Sequence, residues 1–393
     1  MKIKSLVIGS ALAALTVTGA RAADAIVYAE PEPMEYVRIC DTYGTGFFYI
    51  PGTETCLSIN GYVWAQGGGE SYRNPTAAGT TWTPSKHFGA RGANHFRAST
   101  RARVNFDSRS DTEWGTLRGY IRFQGDWEAV GVANDGAVGI DQAFLELGGL
   151  RAGYTESAWV WSQSAGVAQF GSHTWDGMAY GYQQRQLLSY TFAGGNGFHA
   201  TLSLENDTVG GNSLAPGYHG RAYVPDIVGV VGINQGWGGV WAKAGFDERI
   251  RGGANARSGW GAQVGLQYNV PGYDGSSLRV IGYYADSDNQ YAAPGPLGTA
   301  ARWSVLGSYR HQFTPTLAAS VGLQYFGGLY YPFRAVTMPR SRAWLAEAMV
   351  LWTPVTNFEV RAEYAYTNAR ASRVGLGPLK GTHSGFLRFT RYF

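Results

Sequence analysis

The thirteen residues from His95 to Asp107, H-F-R-A-S-T-R-A-R-V-N-F-D, decide the fold. The even positions are Phe96, Ala98, Thr100, Ala102, Val104 and Phe106; the odd ones are His95, Arg97, Ser99, Arg101, Arg103, Asn105 and Asp107. Side chains alternate faces along a strand, so one face is apolar and the other carries three guanidiniums. A soluble strand usually runs about five to six residues, whereas thirteen are enough to cross a bilayer at a tilt. The pattern fits a wall between oil and water. The outer strand of a soluble sandwich is the alternative.

The same two-residue period recurs. In 116–126, Leu117, Gly119, Ile121 and Phe123 alternate with Arg118, Tyr120, Arg122, Gln124 and Asp126. In 357–367, Phe358, Val360, Ala362, Tyr364 and Tyr366 alternate with Glu359, Arg361, Glu363 and Thr367. Sixteen strands are expected, near 54–66, 94–107, 113–126, 138–148, 150–155, 185–193, 197–206, 225–235, 238–248, 257–270, 276–286, 301–312, 316–327, 341–353, 356–367 and 383–393. Tight connections fall at 108–112, 149, 194–196, 236–237, 271–275, 313–315 and 354–355, and mostly longer ones at 67–93, 127–137, 156–184, 207–224, 249–256, 287–300, 328–340 and 368–382. Long and short connections alternate, as in an up-and-down barrel of an outer membrane with turns in the periplasm and loops outside. Closure also pairs every backbone group within the lipid. A sandwich would have to cover the apolar faces of two very large sheets. The expectation is therefore an all-β, sixteen-stranded antiparallel transmembrane barrel.

The ends agree. Residues 1–22 have the form of a signal peptide: Lys2 and Lys4, an apolar run from Leu6 to Gly19, and Ala20-Arg21-Ala22 as the cleavage site. A membrane anchor is the alternative, but the apolar run is short for a spanning helix and stops at Arg21. Cleavage removes three bases and no acid, which brings the formal charge from +4 to +1 and gives no argument for nucleic acid. Only 15% of residues are charged, and stretches such as 186–204 and 311–333 contain no Asp, Glu, Lys or Arg. Gly194-Gly195, Pro315 and Pro332 interrupt these as helices. Residues 23–53 form an N-terminal periplasmic segment ahead of the barrel at 54–393. Cys40 and Cys56 lie close together, and in an exported protein such a pair is most simply one disulfide. Two lone thiols do not make a zinc site. The C-terminal G-F-L-R-F-T-R-Y-F resembles the assembly signal read by the barrel insertion machinery, with Phe393 last and Arg391 as a departure on its apolar face.

The segment from Glu30 to Val63 resembles the start of the alphaproteobacterial porins of rhizobial bacteria and their relatives. The matching parts are P-E-P, Y-V-R-x-C-D-x-Y-G, F-Y-I-P-G-T-E-T-C-L and G-Y-V, and S-G-F-L-R-F at 384–389 is similar to the family's last strand. Trp64 stands where this family would have Arg. The resemblance implies a sixteen-stranded barrel, homotrimeric assembly, passive diffusion of small hydrophilic solutes, and a third loop at 156–184 that folds into the lumen and narrows it; outer-membrane lipid and lipopolysaccharide are the expected surroundings, and no cofactor is expected.

If apolar faces meet lipid, strand parity places Arg97, Arg101, Arg103, Arg118, Arg122, Arg151 and Arg185 on the inner wall. Low-dielectric walls focus such charge, and charged rings are how pores discriminate ions. Glu156 and Asp176 are the acids expected to face that wall from the third loop. The competing expectation is that the arginines pair with Asp107, Asp126 or Glu146 and only solvate the lumen. Trp159, Trp161 and Trp175 in that loop either pack it against the wall or form a stacking track in a saccharide-specific channel. A secreted adhesin is a more distant reading. An enzyme reading finds scattered histidines and no H-E-x-x-H, G-x-S-x-G or Walker A; His199 with Ser189 or Ser203 is its one candidate.

Overall fold

A computed structural model describes residues 38–71, 95–128, 136–160, 171–174, 178, 183–206, 224–248, 258–296, 300–331, 334–370 and 379–393. One sheet contains eighteen strands, of which two are short additions, Phe47–Tyr49 and Ala293–Pro294. The sixteen others are β1 (Cys56–Ser71), β2 (His95–Thr112), β3 (Gly115–Glu128), β4 (Val138–Leu147), β5 (Leu150–Glu156), β6 (Gln184–Ala193), β7 (Phe198–Glu205), β8 (Asp226–Gln235), β9 (Gly238–Asp247), β10 (Gly259–Asn269), β11 (Ser277–Ala285), β12 (Ala300–Thr314), β13 (Leu317–Leu329), β14 (Arg342–Val355), β15 (Phe358–Arg370) and β16 (Leu379–Tyr392). Each pairs antiparallel with its sequence neighbour.

The last strand closes the barrel on the first, with Arg388 opposite Gln66 and Tyr392 opposite Tyr62. Phe393 seals the seam: its N–H donates to Gly61 O (3.1 Å), and Gly61 N–H donates back to Phe393 O (3.0 Å). A Cβ at Gly61 would collide with the Arg103 carbonyl, so the close approach of three chain segments requires glycine there. Arg391 does share the outward face, as its parity implies, and donates to Thr356 O (3.1 Å) on the short-turn rim. That is a snorkelling geometry.

The barrel is apolar outside and polar inside. Val264 is 60% exposed, Val321 55% and Leu202 57%, while Ser58, Gln66, Asn105, Asp107, Gln263 and Gln324 are buried within the barrel. An apolar surface this extensive needs a lipid partner. The described part of the third loop is also inside, where Trp159, Val160 and Met178 pack with Val228, Val230, Trp241, Ile281 and Leu306.

Two expected turns are corrected. The connection expected at 108–112 is strand: β2 continues to Thr112 in register with Gly115, and the turn is Glu113–Trp114. Its polar residues looked like a loop because Asp107 and Arg109 face the wet lumen near the rim. The turn expected at 354–355 lies at Thr356–Asn357, because a register shift between Trp352 and Val355 accommodates Pro354, which has no N–H for the ladder. Asn357 takes the left-handed conformation there (φ 61°). Cys40 and Cys56 form the disulfide, with Cα atoms 6.0 Å apart.

Candidate functional site

The inner faces of β2 to β5 carry a continuous arginine–carboxylate wall. Arg101 and Asp126 are direct cross-strand partners, and Nε donates to Oδ1 at 2.5 Å. Asp107 accepts from two guanidiniums: Arg118 Nε and Nη2 (both 2.9 Å) and Arg109 Nη2 (2.8 Å). Arg118 Nη1 also donates to Glu146 Oε2 (2.8 Å), whose other oxygen accepts from Arg151 Nε (2.6 Å). Arg103 Nε donates to Gln124 Oε1 (3.0 Å) and Arg122 Nε to Asn105 Oδ1 (3.0 Å).

Both Arg103 and Arg122 lie near Asp141 Oδ2, at 3.5 and 3.6 Å. Strict alternation from Gln142 would turn Asp141 outward. A register shift at Arg122/Phe123 makes it the extra residue of β4 and aims it into the lumen. Among the described residues six guanidiniums therefore meet four carboxylates on this wall, a modest positive excess.

Aromatic rings hold the guanidinium faces. Arg103 lies 5.1 Å from the Tyr62 ring, Arg151 4.9 Å from Phe144, and both Arg101 (5.4 Å) and Arg388 (4.5 Å) lie over Trp64. Carboxylates at the edge and rings on the face fix each side chain in place. The Trp64 indole thus receives two neighbouring cations.

The remaining expected residues are placed as follows. Arg97 pairs with Gly68 in the backbone ladder, and its side chain lies outside the described residues, as does all of Asp176. Glu156 ends β5 and lies within electrostatic reach of Arg122 and Arg151, on their side of the lumen rather than across from them. Arg185, cross-strand from Thr155, is fully buried, near Gln183, Gln290, Glu205 and Asp226.

The opposite bank holds the third loop. Glu205 Oε1 accepts from Ala158 N–H (2.9 Å), Lys243 Nζ donates to Trp159 O (2.9 Å), and Arg279 Nη1 donates to Gly171 O (2.8 Å). Ser172 Oγ donates to Glu347 Oε2 (3.2 Å). His173 bridges Ser308 Oγ (2.7 Å) and Ser277 Oγ (2.9 Å) with its two ring nitrogens. Burial, with Arg279 and Arg310 beside it, pushes the His173 imidazole down to about 3, so it is neutral at ordinary pH. Met178 Cε fills the space left by Gly322. Sequence reasoning missed these anchors. The available signal was parity: Lys243, Arg279 and Glu347 are charges on otherwise uncharged stretches of strand, each on the inward side.

Of the loop tryptophans, Trp159 is 4% exposed and packs edge-on against Tyr291 (5.5 Å); Trp161 and Trp175 lie outside the described residues. His199 and Ser203 are both buried, and among the described residues His199 Nε2 has no hydrogen-bond partner. Four residues of strand separate them by roughly 13 Å. Ser189 is opposite Ser203 rather than His199, so no dyad forms.

A family profile described as "Porin subfamily" matches residues 24–384. The chain belongs to that subfamily. Porin Omp2b of Brucella canis is 32% identical over a 415-residue alignment that spans both chains completely, and Porin Omp2b of Brucella neotomae is 33% identical over the same span. Among solved structures, the outer membrane channel DcaP of Acinetobacter baumannii superposes with a TM-score of 0.65 at 15% identity, covering 88% of this chain and 99% of that one. The anion-selective porin from Comamonas acidovorans gives 0.57 at 14%, covering 86% and 100%. A trimer form of OmpT from Vibrio cholerae gives 0.53 at 9%, covering 87% and 100%. These structures share the fold. The chain is thus an outer-membrane porin, a channel for small solutes, and its relatives' names point to a channel rather than an enzyme.

Proposed function

We propose that small hydrophilic solutes and ions cross this porin by passive diffusion, through a water-filled passage between the arginine wall and the third loop. The observation that carries this reading is the set of hydrogen bonds from the described loop residues to lumen-facing side chains of β7, β9, β11, β12 and β14. They draw the loop to one bank and leave β2 to β5 as the other. Arg101, Arg103, Arg118, Arg122 and Arg151 then bound the eyelet together with Arg97, and Asp176 is the loop acid that would face them. Glu156 moderates the wall from its own side. Arg185 acts instead as a buried countercharge near Glu205 and Asp226. Most wall charges are paired, so the passage discriminates ions weakly, by its positive excess.

In the same reading the chain loses residues 1–22 on export and keeps residues 23–53 in the periplasm. It is handed to the assembly machinery through the strand ending at Phe393, and works as a homotrimer among lipid and lipopolysaccharide. The trimeric form among its structural neighbours supports that assembly. A saccharide channel would need an open stacking track, and Trp159 is committed to packing. Liposome swelling with a graded series of neutral sugars tests the proposal. Rates should fall smoothly with solute size and rise linearly with concentration; saturation with one sugar would favour the specific channel.

A further inference from the structure

The outward faces of β10 to β15 carry an aromatic belt near the long loops. Trp260 lies against Tyr284 (ring centroids 5.3 Å apart), Trp303 against Tyr325 (5.3 Å) and Trp344 against Tyr366 (4.9 Å). Tyr284 is the direct cross-strand partner of Trp303, and Tyr325 of Trp344, so the three pairs join into one band. Such a belt marks the level where hydrocarbon gives way to lipid headgroups. Arg342, the first residue of β14, stands one outward position beyond Trp344, about 7 Å further along the strand. Its direct partner across the ladder is Arg370, the last residue of β15. Both arginines are exposed, on the same outward face as Trp344. Like charges placed directly opposite repel, and among the described residues neither guanidinium has a hydrogen-bond or ion-pair partner. The flanking connections, 328–341 and 371–378, add Arg334, Arg340 and Arg373 and contain no Asp or Glu. The connection at 72–94 likewise holds Arg73, Lys86 and Arg91 and no acid. On the two strands themselves Glu347, Glu359 and Glu363 have the opposite parity and face the lumen. Asp286 and Asp288, ahead of β12, accept backbone N–H groups from Trp260 (2.9 Å) and Ala300 (2.7 Å).

We propose that Arg342 and Arg370 together clamp a phosphate group of an outer-leaflet lipid, on the phosphorylated sugar headgroup of lipopolysaccharide. The inference goes beyond solute passage; it rests on the reading that lipopolysaccharide surrounds the long-loop rim, and assigns the contact. Both arginines face the bilayer rather than the lumen, at the depth where a headgroup sits just above the belt. Two planar guanidiniums on one face present N–H pairs to the oxygens of one phosphate, which turns their mutual repulsion into shared attraction. The headgroup region is less polar than bulk water, which strengthens the pairing. Below the clamp, Trp344 and Tyr366 offer acyl chains an apolar flank, and the Trp303 ring covers Gly327, the other cross-strand neighbour of Arg342. A free phosphate has the same oxygens but no chains to lie on that flank, so the lipid is the occupant that uses the whole surface.

The full chain, refolded in detergent micelles with about 0.1 M NaCl, tests the site when titrated with fluorescent bisphosphorylated lipid A. EDTA is present, so that no divalent cation bridges the phosphates to carboxylates. Binding should saturate, and lipid A stripped of both phosphates should bind at least about tenfold more weakly. Arg342→Gln should raise the half-saturating concentration about fivefold, the effect of one charge near a lipid surface, and Arg342→Gln with Arg370→Gln at least about tenfold. Arg342→Lys with Arg370→Lys should lie between the native chain and the double Gln variant, because an ammonium is a point charge without the planar fork. Each variant should keep the heat-modifiable band and KCl conductance, since both side chains lie outside the channel. Arg391→Gln, on the opposite rim, should bind as the native chain does. Unchanged affinity in the double Gln variant overturns the site while leaving lipopolysaccharide as the surrounding lipid. No saturable binding by the folded native chain overturns both. Displacement of lipid A by an equal concentration of inorganic phosphate overturns the lipid assignment in favour of a free anion.

Discussion

Removing Arg101 alone should make the channel more cation-preferring, whereas removing Arg101 and Asp126 together should not. Their Nε–Oδ1 distance of 2.5 Å makes them a tight dipole on the lumen wall. Arg101→Ser leaves Asp126 uncompensated and changes the wall by a full unit charge. At about 5 Å from a passing ion, in a water-like dielectric, one charge contributes about 0.8 kcal/mol, roughly fourfold in local ion concentration. Screening in about 0.1 M salt reduces that to roughly two- to threefold. Cations and anions shift in opposite senses, so the permeability ratio should change by roughly four- to tenfold, moving the reversal potential in a tenfold KCl gradient by roughly 25–40 mV. In Arg101→Ser with Asp126→Asn no net charge is removed, and the shift should stay within about 10 mV. The side chains are 23% and 36% exposed, so the unpaired carboxylate keeps water and the single variant should lose about 1 kcal/mol of stability or less. Reversal potentials from refolded protein in planar bilayers read both effects. Equal shifts in the single and double variants would refute the paired-wall reasoning, and no shift in either would place Arg101 away from the conduction path.

Three further outcomes follow from named contacts. His173 has a depressed pKa when folded, so the neutral form stabilises the loop at neutral pH and that contribution is lost as pH falls below about 6.5 toward 3; at pH 4.5 the loss is roughly 2–3 kcal/mol. Acid should therefore increase current fluctuations in the native channel but not in His173→Gln, and an identical acid response in both would count against the loop anchor. Gly61→Val should prevent closure of the β16–β1 seam, seen as loss of the compact, heat-modifiable gel band; a normal band would mean the seam tolerates a Cβ. Cys40→Ser with Cys56→Ser should cost about 3 kcal/mol of stability in the chain-entropy model, read as a lower denaturant midpoint, while the barrel still forms. Failure to insert would show that the disulfide is needed for the fold itself.

The barrel was legible because a wall between lipid and water imposes a period of two on every strand, and sixteen such segments with alternating long and short connections leave few alternatives. Boundaries slipped where the inner face stayed polar up to the rim, as at Asp107–Thr112, and where a proline was absorbed by a bulge, as at Pro354. Parity made Arg101, Arg103, Arg118, Arg122 and Arg151 legible, and partners such as Asp107 and Asp126, but not Arg109, which fell in the turn expected at 108–112. Asp141 was hidden because a bulge reverses its parity, and a register shift cannot be read from one strand. The loop anchors were hidden for a different reason: Lys243, Arg279 and Glu347 meet the third loop only after closure brings distant strands to one lumen. Arg185 had the expected parity, yet burial took it off the wetted surface.

Single-channel recording of the refolded protein over a range of KCl concentrations tests the central claim most directly. A passive water-filled passage predicts conductance that rises in near proportion to bulk conductivity, with a small anion preference from the arginine excess. Conductance that levels off at high salt, or a current that one sugar blocks saturably, would contradict it and identify a channel built around a binding site.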